Sequence, residues 1–188
     1  MKIVINSVQI KPEAKLKVLS DFVNFVRENP EYEADLIEAT TMVDAVDNSK
    51  TLIELGQYYL DKNDKTKALK YFENALISEP DNFSVLRNVL LLYIDLKHYD
   101  LAEKRSNKAL QNYPSQPLLY LINGVALNEL NQPKKAVQTL ESGLDYIIED
   151  RKMESDFYTQ LSKAYTLLSN TVKSKAFGDK AKQLAPQN

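Results

Sequence analysis

The chain of 188 residues contains no cysteine, so it has neither a disulfide framework nor a thiolate metal site. It has one histidine, His98, and therefore no His pair for a metal. Glycine is scarce, four residues in all, where a β-rich fold of this size would use more of it in turns. Basic charge is not in excess: 24 Lys and Arg against 26 Asp and Glu leave a formal net charge of -2, and no overall basic field recruits nucleic acid. The opening "MKIVINSVQI" has a short apolar run broken by Asn6 and Ser7, too short for a signal-peptide core or a membrane span. No membrane insertion by this chain is expected. The composition suits a soluble protein, cytoplasmic or periplasmic, with no signal peptide in this stretch.

What is present is helical. Hydrophobic residues make up 44% of the chain and recur at helical spacing from Pro12 to Leu184. This pattern predicts an all-α protein, more than about 75% helix, with no strand beyond a short one at 3–5.

The chain also repeats itself. Leu52, Leu55, Gly56, Tyr59, Ala68, Phe72, Ala75 and Pro80 are followed 34 residues on by Leu86, Val89, Leu90, Tyr93, Ala102, Ser106, Ala109 and Pro114. Another 34 gives Tyr120, Asn123, Gly124, Leu127, Ala136, Leu140 and Gly143. The last unit holds Tyr158, Leu161, Ser162, Tyr165, Ser174, Ala181 and Pro186. The units are 49–82, 83–116, 117–150 and 155–188, with four extra residues, Arg151 to Glu154, between the last two. Four residues are about one helical turn. The second helix of the third unit is expected to absorb them, holding Ala136, Leu140, Gly143 and Ile147 on one face with Val137, Leu144 and Ile148 beside them.

Glycine inside a helix costs roughly 1 kcal/mol relative to alanine. All four glycines, Gly56, Gly124, Gly143 and Gly178, fall on repeat slots, so close helix packing is expected to offset that cost. Pro80, Pro114 and Pro186 sit just past expected helix ends, and Pro117 and Pro133 where a first turn begins. Asp64, Asn82 and Ser155 are placed to cap the helices that follow. Upstream, residues 1–48 carry a degenerate unit at 15–48, with Val18, Phe22, Phe25 and Ala34 on core slots. Asn29-Pro30 splits it into helices of roughly 12–28 and 31–46.

This 34-residue pattern (a bulky residue, Leu-Gly, an aromatic, then Ala, Phe, Ala and Pro) resembles the tetratricopeptide repeat family. The first unit matches nearly every slot. The second departs at Leu90 and Ser106, the third has Ile148 for the closing proline, and the fourth has Ser174 and Gly178. The resemblance implies a right-handed α-solenoid of about five helix-turn-helix pairs, 1–48 and 49–188 forming one continuous body. The stretches "LLYLINGVALNEL" and "GLDYIIEDRKMESDFYTQLSKAY" also resemble the C-terminal part of longer bacterial tetratricopeptide proteins of the Bacteroidetes type.

No catalytic constellation is legible. There is no Gly-rich phosphate loop and no GxSxG elbow, and His98 falls in an expected turn. Most of the eleven tyrosines recur on core slots. A non-enzymatic chain without cofactor is expected. The resemblance implies binding of a protein or peptide in a concave groove lined by the first helix of each unit. Leu91, Ile94, Leu118, Leu121 and Val125 are then the apolar groove residues, with Gln57, Arg87, Asn128 and Lys163 as polar neighbours. The family's chaperone-tail clamp would need Lys, Asn and Arg where this chain has Ile53, Gln57, Asn88, Leu118 and Ile122. Only Asn88 matches, so that ligand is not expected. The alternatives are a structural segment whose groove is filled by the rest of a longer chain, and the accessory domain of an enzyme.

The two ends differ. The final helix carries Lys173, Lys175, Lys180 and Lys182 and can face water as a cap, whereas the apolar start suggests further repeats upstream in a longer protein. Residues 28–47 hold seven acids and no Lys or Arg, and residues 163–182 hold five Lys and one Asp. Opposite charge of this kind is expected to favour weak self-association.

Overall fold

The computed structural model describes residues 5, 7, 9–41 and 49–184. Those residues are 82% helical and include no strand. The helices are α1 (Pro12–Glu28), α2 (Glu33–Thr41), α3 (Ser49–Asp61), α4 (Lys65–Ser78), α5 (Phe83–Asp95), α6 (Tyr99–Asn112), α7 (Pro117–Glu129), α8 (Pro133–Leu144), α9 (Arg151–Leu167) and α10 (Thr171–Leu184). A 3-10 turn at Pro30–Tyr32 joins α1 to α2. Pro186 and most of the expected strand at 3–5 lie outside the described residues. The chain divides into two compact units, Met1–Leu92 and Tyr93–Asn188.

The turn inside each of the four helix pairs from α3 onward is the same piece of chemistry repeated. Asn63, Lys97 and Asn131 stand 34 residues apart, Ser169 follows after 38, and all four have φ between 54° and 61°. The next residue's N–H reaches back to the last turn of the first helix: Asp64 to Tyr59 O and His98 to Tyr93 O at 2.8 Å, Gln132 to Leu127 O at 2.8 Å, and Asn170 to Tyr165 O at 2.9 Å. A left-handed residue lets these carbonyls be satisfied as the helix stops. The second helix is then capped or started by its own residues. Asp64 Oδ1 accepts from Lys67 N at 3.0 Å, and Pro133 opens α8.

In unit 1, α1 packs on α2 and α3, and α3 on α4. Leu19, Val23, Val26, Leu36, Ala39, Leu55, Tyr59, Phe72 and Ala75 form its core. The expected core slots of α1 and α2 are misphased. Phe25 is 46% exposed, Ala34 is exposed, and Val18 and Phe22 are only half-buried, while Leu19, Val23 and Val26 are fully buried. Both stripes are apolar at the same spacing, one residue apart, and the position of α3 decides between them.

In unit 2, α6 packs on α7, α7 on α8, α8 on α9, and α9 on α10. Leu127, Ala136, Leu140, Phe157, Leu161, Ala164 and Tyr165 form one buried cluster. The extra turn does not enter the second helix of the third pair: α8 stops at Leu144 and Ile148 is 85% exposed. Instead α9 begins one turn early, at Arg151, because Asp150 caps it by accepting from Met153 N at 2.9 Å. Ser155, expected as the cap, lies inside α9 and is buried, its Oγ donating to Ala181 O at 2.9 Å.

Candidate partner-binding surface

Chemistry is the first thing to test on this scaffold. Among the described residues, no group of three or more His, Cys, Asp or Glu could hold a metal ion. The most perturbed carboxyl is Glu33. The hydrogen bond from Lys62, helped by Tyr59 and Lys67 and opposed by burial, holds it at about 2. Burial and then the same carboxylate push the Tyr59 hydroxyl up. A carboxylate locked in its ionised form and a phenol locked in its neutral form make an internal tie between α2, α3 and α4, and neither is poised to exchange a proton near neutral pH. His98 sits at the start of α6, exposed, with its ring 6.2 Å from that of Tyr93.

The residues expected to meet a partner divide by unit. In unit 1, Gln57 is exposed but its side chain donates to Asp61 Oδ1 at 2.9 Å, and Asp61 Oδ2 takes Arg27 at 2.9 Å. Gln57 is thus already engaged within its own helix. Arg87 is exposed, and Leu91, one turn further along α5, is 43% exposed.

In unit 2 the expected residues concentrate on α7 and on the facing part of α9. Leu118, Leu121 and Val125 stand at i, i+3 and i+7 and are all half-buried, as is Ile94. Leu121 also packs against the buried cluster and so belongs partly to the core. Lys163 of α9 is exposed and ion-pairs with Glu129 at the end of α7. Asn128 is a different case. It is only 3% exposed, and its Nδ2 donates to Gln160 O of α9 at 3.0 Å and to Gln160 Oε1 at 3.2 Å. Its Oδ1 is buried without a partner. Asn128 therefore links two helices and is not a free polar neighbour.

Sequence reasoning missed the two residues that complete this seam, Glu129 and Gln160. The 34-residue separation of Glu129 and Lys163 is the signal that could have found them, because it places opposite charges near each other on successive first helices. It also missed that Thr159 and Thr166 spend their hydroxyls on the carbonyls of Ser155 and Ser162, both at 2.9 Å. The α7–α9 seam thus offers a row of three aliphatic side chains, a buried amide link and one charged pair. Such a seam has no reactive group.

A model of the tetratricopeptide repeat family matches residues 31–177. No curated protein sequence matches the chain. Among solved structures, MamA of strain AMB-1 is 21% identical, with 88% of this chain and 96% of that one aligned at a TM-score of 0.68. MamA from Desulfovibrio magneticus RS-1, solved from residue 41 to its end, is 16% identical, covering 90% and 94% at a TM-score of 0.68. A further crystal structure of MamA protein is 15% identical, covering 90% and 91% at 0.70. These likenesses concern the fold.

Proposed function

Because the chain belongs to the tetratricopeptide repeat family, we propose that it is a non-catalytic scaffold that binds a helix or extended segment of a partner protein on the first helices of its repeats. One observation carries this reading: the half-buried aliphatic row Leu118, Leu121 and Val125 on α7, ending at the Glu129–Lys163 pair. Apolar side chains at this spacing accept the i, i+3, i+7 face of a partner helix or the alternate residues of a strand. In unit 1, the exposed Leu91 and Arg87 offer, separately, one apolar contact and one cation for a carboxylate or carbonyl.

The test uses substitutions that spare the core. Leu91→Glu with Arg87→Glu removes the exposed contacts of unit 1, and Lys163→Glu reverses the charge of the unit 2 seam. Partners captured by the wild-type chain from its source cell are identified by mass spectrometry and titrated in purified form. The reading holds if affinity falls tenfold or more while helicity and melting temperature stay unchanged. Undiminished affinity in all variants rules these surfaces out.

A further inference from the structure

The cationic helix α10 and the α1–α2 region carry features that partner binding on the first helices leaves unused. We propose that α10 of one copy docks weakly on the α1–α2 surface of a second copy. On α1–α2, the rings of Phe22 and Phe25 stack with centroids 5.8 Å apart, and Phe25 meets Tyr32 at 5.4 Å. Phe25 and Tyr32, in ring contact with each other, are 46% and 42% exposed, an exposed aromatic pair on the surface. Residues 28–38 hold five acids and no Lys or Arg; Glu33 among them is already paired with Lys62 and Lys67, while Glu28 and Glu31, three residues after Phe25 and one before Tyr32, are exposed.

Elsewhere the chain shows what such a combination takes up. Lys62 lies over the Tyr58 ring at 5.1 Å and Lys67 over the Tyr59 ring at 4.7 Å, both also paired with Glu33. An aromatic face and a carboxylate together hold an ammonium group. At Phe25, Tyr32, Glu28 and Glu31 the aromatic and the carboxylates are present, and among the described residues no lysine lies over those rings.

The missing cation is on α10. That helix packs on α9 through Ser174, Phe177, Gly178 and Ala181. Lys173 and Lys180 fold back over Tyr165 and Tyr158 at 4.8 and 5.2 Å. Lys175 and Lys182, two turns apart, are exposed, as is Val172 at 79%. Together these three give an aliphatic contact and two ammonium groups on one side of a helix whose four lysines face a single aspartate, Asp179. The surfaces match in charge and in kind. Exposed charge pairs are individually weak, so the association is salt-sensitive and needs high protein concentration.

Sedimentation equilibrium on the full chain tests this at roughly 0.01 M and 1 M salt, where the Debye length is about 30 and 3 Å. The expected result is a weight-average mass that rises with concentration at low salt and stays monomeric at high salt. Glu28→Lys with Glu31→Lys, and separately Lys175→Glu with Lys182→Glu, each weaken association about tenfold. Mixing the two variants restores it, because the basic α10 of the first then meets the acidic surface of the second. All four positions are exposed, so circular dichroism should be unchanged. A monomer at both salt concentrations overturns the proposal. Association that survives high salt, or that both charge reversals leave intact, overturns it as well.

Discussion

Gly56 and Phe72 fit against each other with no room for a side chain between them: a Cβ on Gly56 would lie 2.6 Å from Phe72 Cε1. The same two repeat slots meet again in the third pair, where a Cβ on Gly124 would lie 2.4 Å from Leu140 Cδ2. In the fourth pair the partners are Ser162 and Gly178, and the added Cβ would be 3.2 Å from the Ser162 hydroxyl. Gly56→Ala is therefore expected to lose about 2 kcal/mol of stability even though alanine is the better helix former, because a fully buried ring has nowhere to retreat. Gly178→Ala should stay within about 0.5 kcal/mol of wild type, propensity offsetting a slight crowding. Urea unfolding of the two variants measures the contrast. Equal effects would show that these slots do not set the approach of the helices.

The repeating turn makes a second prediction. Asn63 and Asn131 tolerate a left-handed backbone, but the equivalent Lys97, at φ 61°, pays for its Cβ. Lys97→Gly should stabilise the protein by about 1 kcal/mol, seen as a higher melting temperature. A decrease would mean that the lysine side chain contributes more than its backbone strain costs.

These two cases show what was legible. The period and the glycine slots are imposed by contacts between neighbouring helices, which recur and so leave a repeating trace, and the prolines at helix starts by a first turn that needs no N–H there. The phase of α1 leaves none: Val18, Phe22 and Phe25 read as well as Leu19, Val23 and Val26 until α3 supplies the packing side. The extra turn reads in the sequence as a continuation of α8, but one capping aspartate, Asp150, puts it at the start of α9. Of the surface residues, Leu91 and Arg87 are exposed as their slots suggest, whereas Asn128 is buried by a partner, Gln160, that no single-position slot rule includes.

Glu33 gives a pH-dependent prediction. Its carboxyl, ordinarily near 4.5, is held at about 2, first by the hydrogen bond from Lys62. A lowered folded pKa means that the stabilisation is complete above about 4.5 and is lost as pH falls toward 2. Lys62 and Lys67 are 40% and 47% exposed, so solvent screening reduces the contribution to about 1–2 kcal/mol. Glu33→Gln should be less stable by that amount at pH 7, and the gap should narrow at pH 3.5 in urea midpoints. A gap that is constant with pH would assign the loss to packing and not to the charge.

Asn128 separates a structural residue from a ligand-binding one. Its buried amide donates to the Gln160 carbonyl while its Oδ1 has no partner. Asn128→Leu removes the donor and the orphan acceptor together and should cost only about 1 kcal/mol. Asn128→Asp removes the donor and buries a charge beside a carbonyl, and about 3 kcal/mol is expected at pH 7. Burial raises the pKa of such a carboxyl, so the aspartate variant should recover stability on acidification. Once protonated it is neutral and can again donate to Gln160. Urea unfolding at pH 7 and pH 5 reads both effects. If instead both variants keep wild-type stability and lose only partner affinity, Asn128 faces the ligand and the α7–α9 link is incidental.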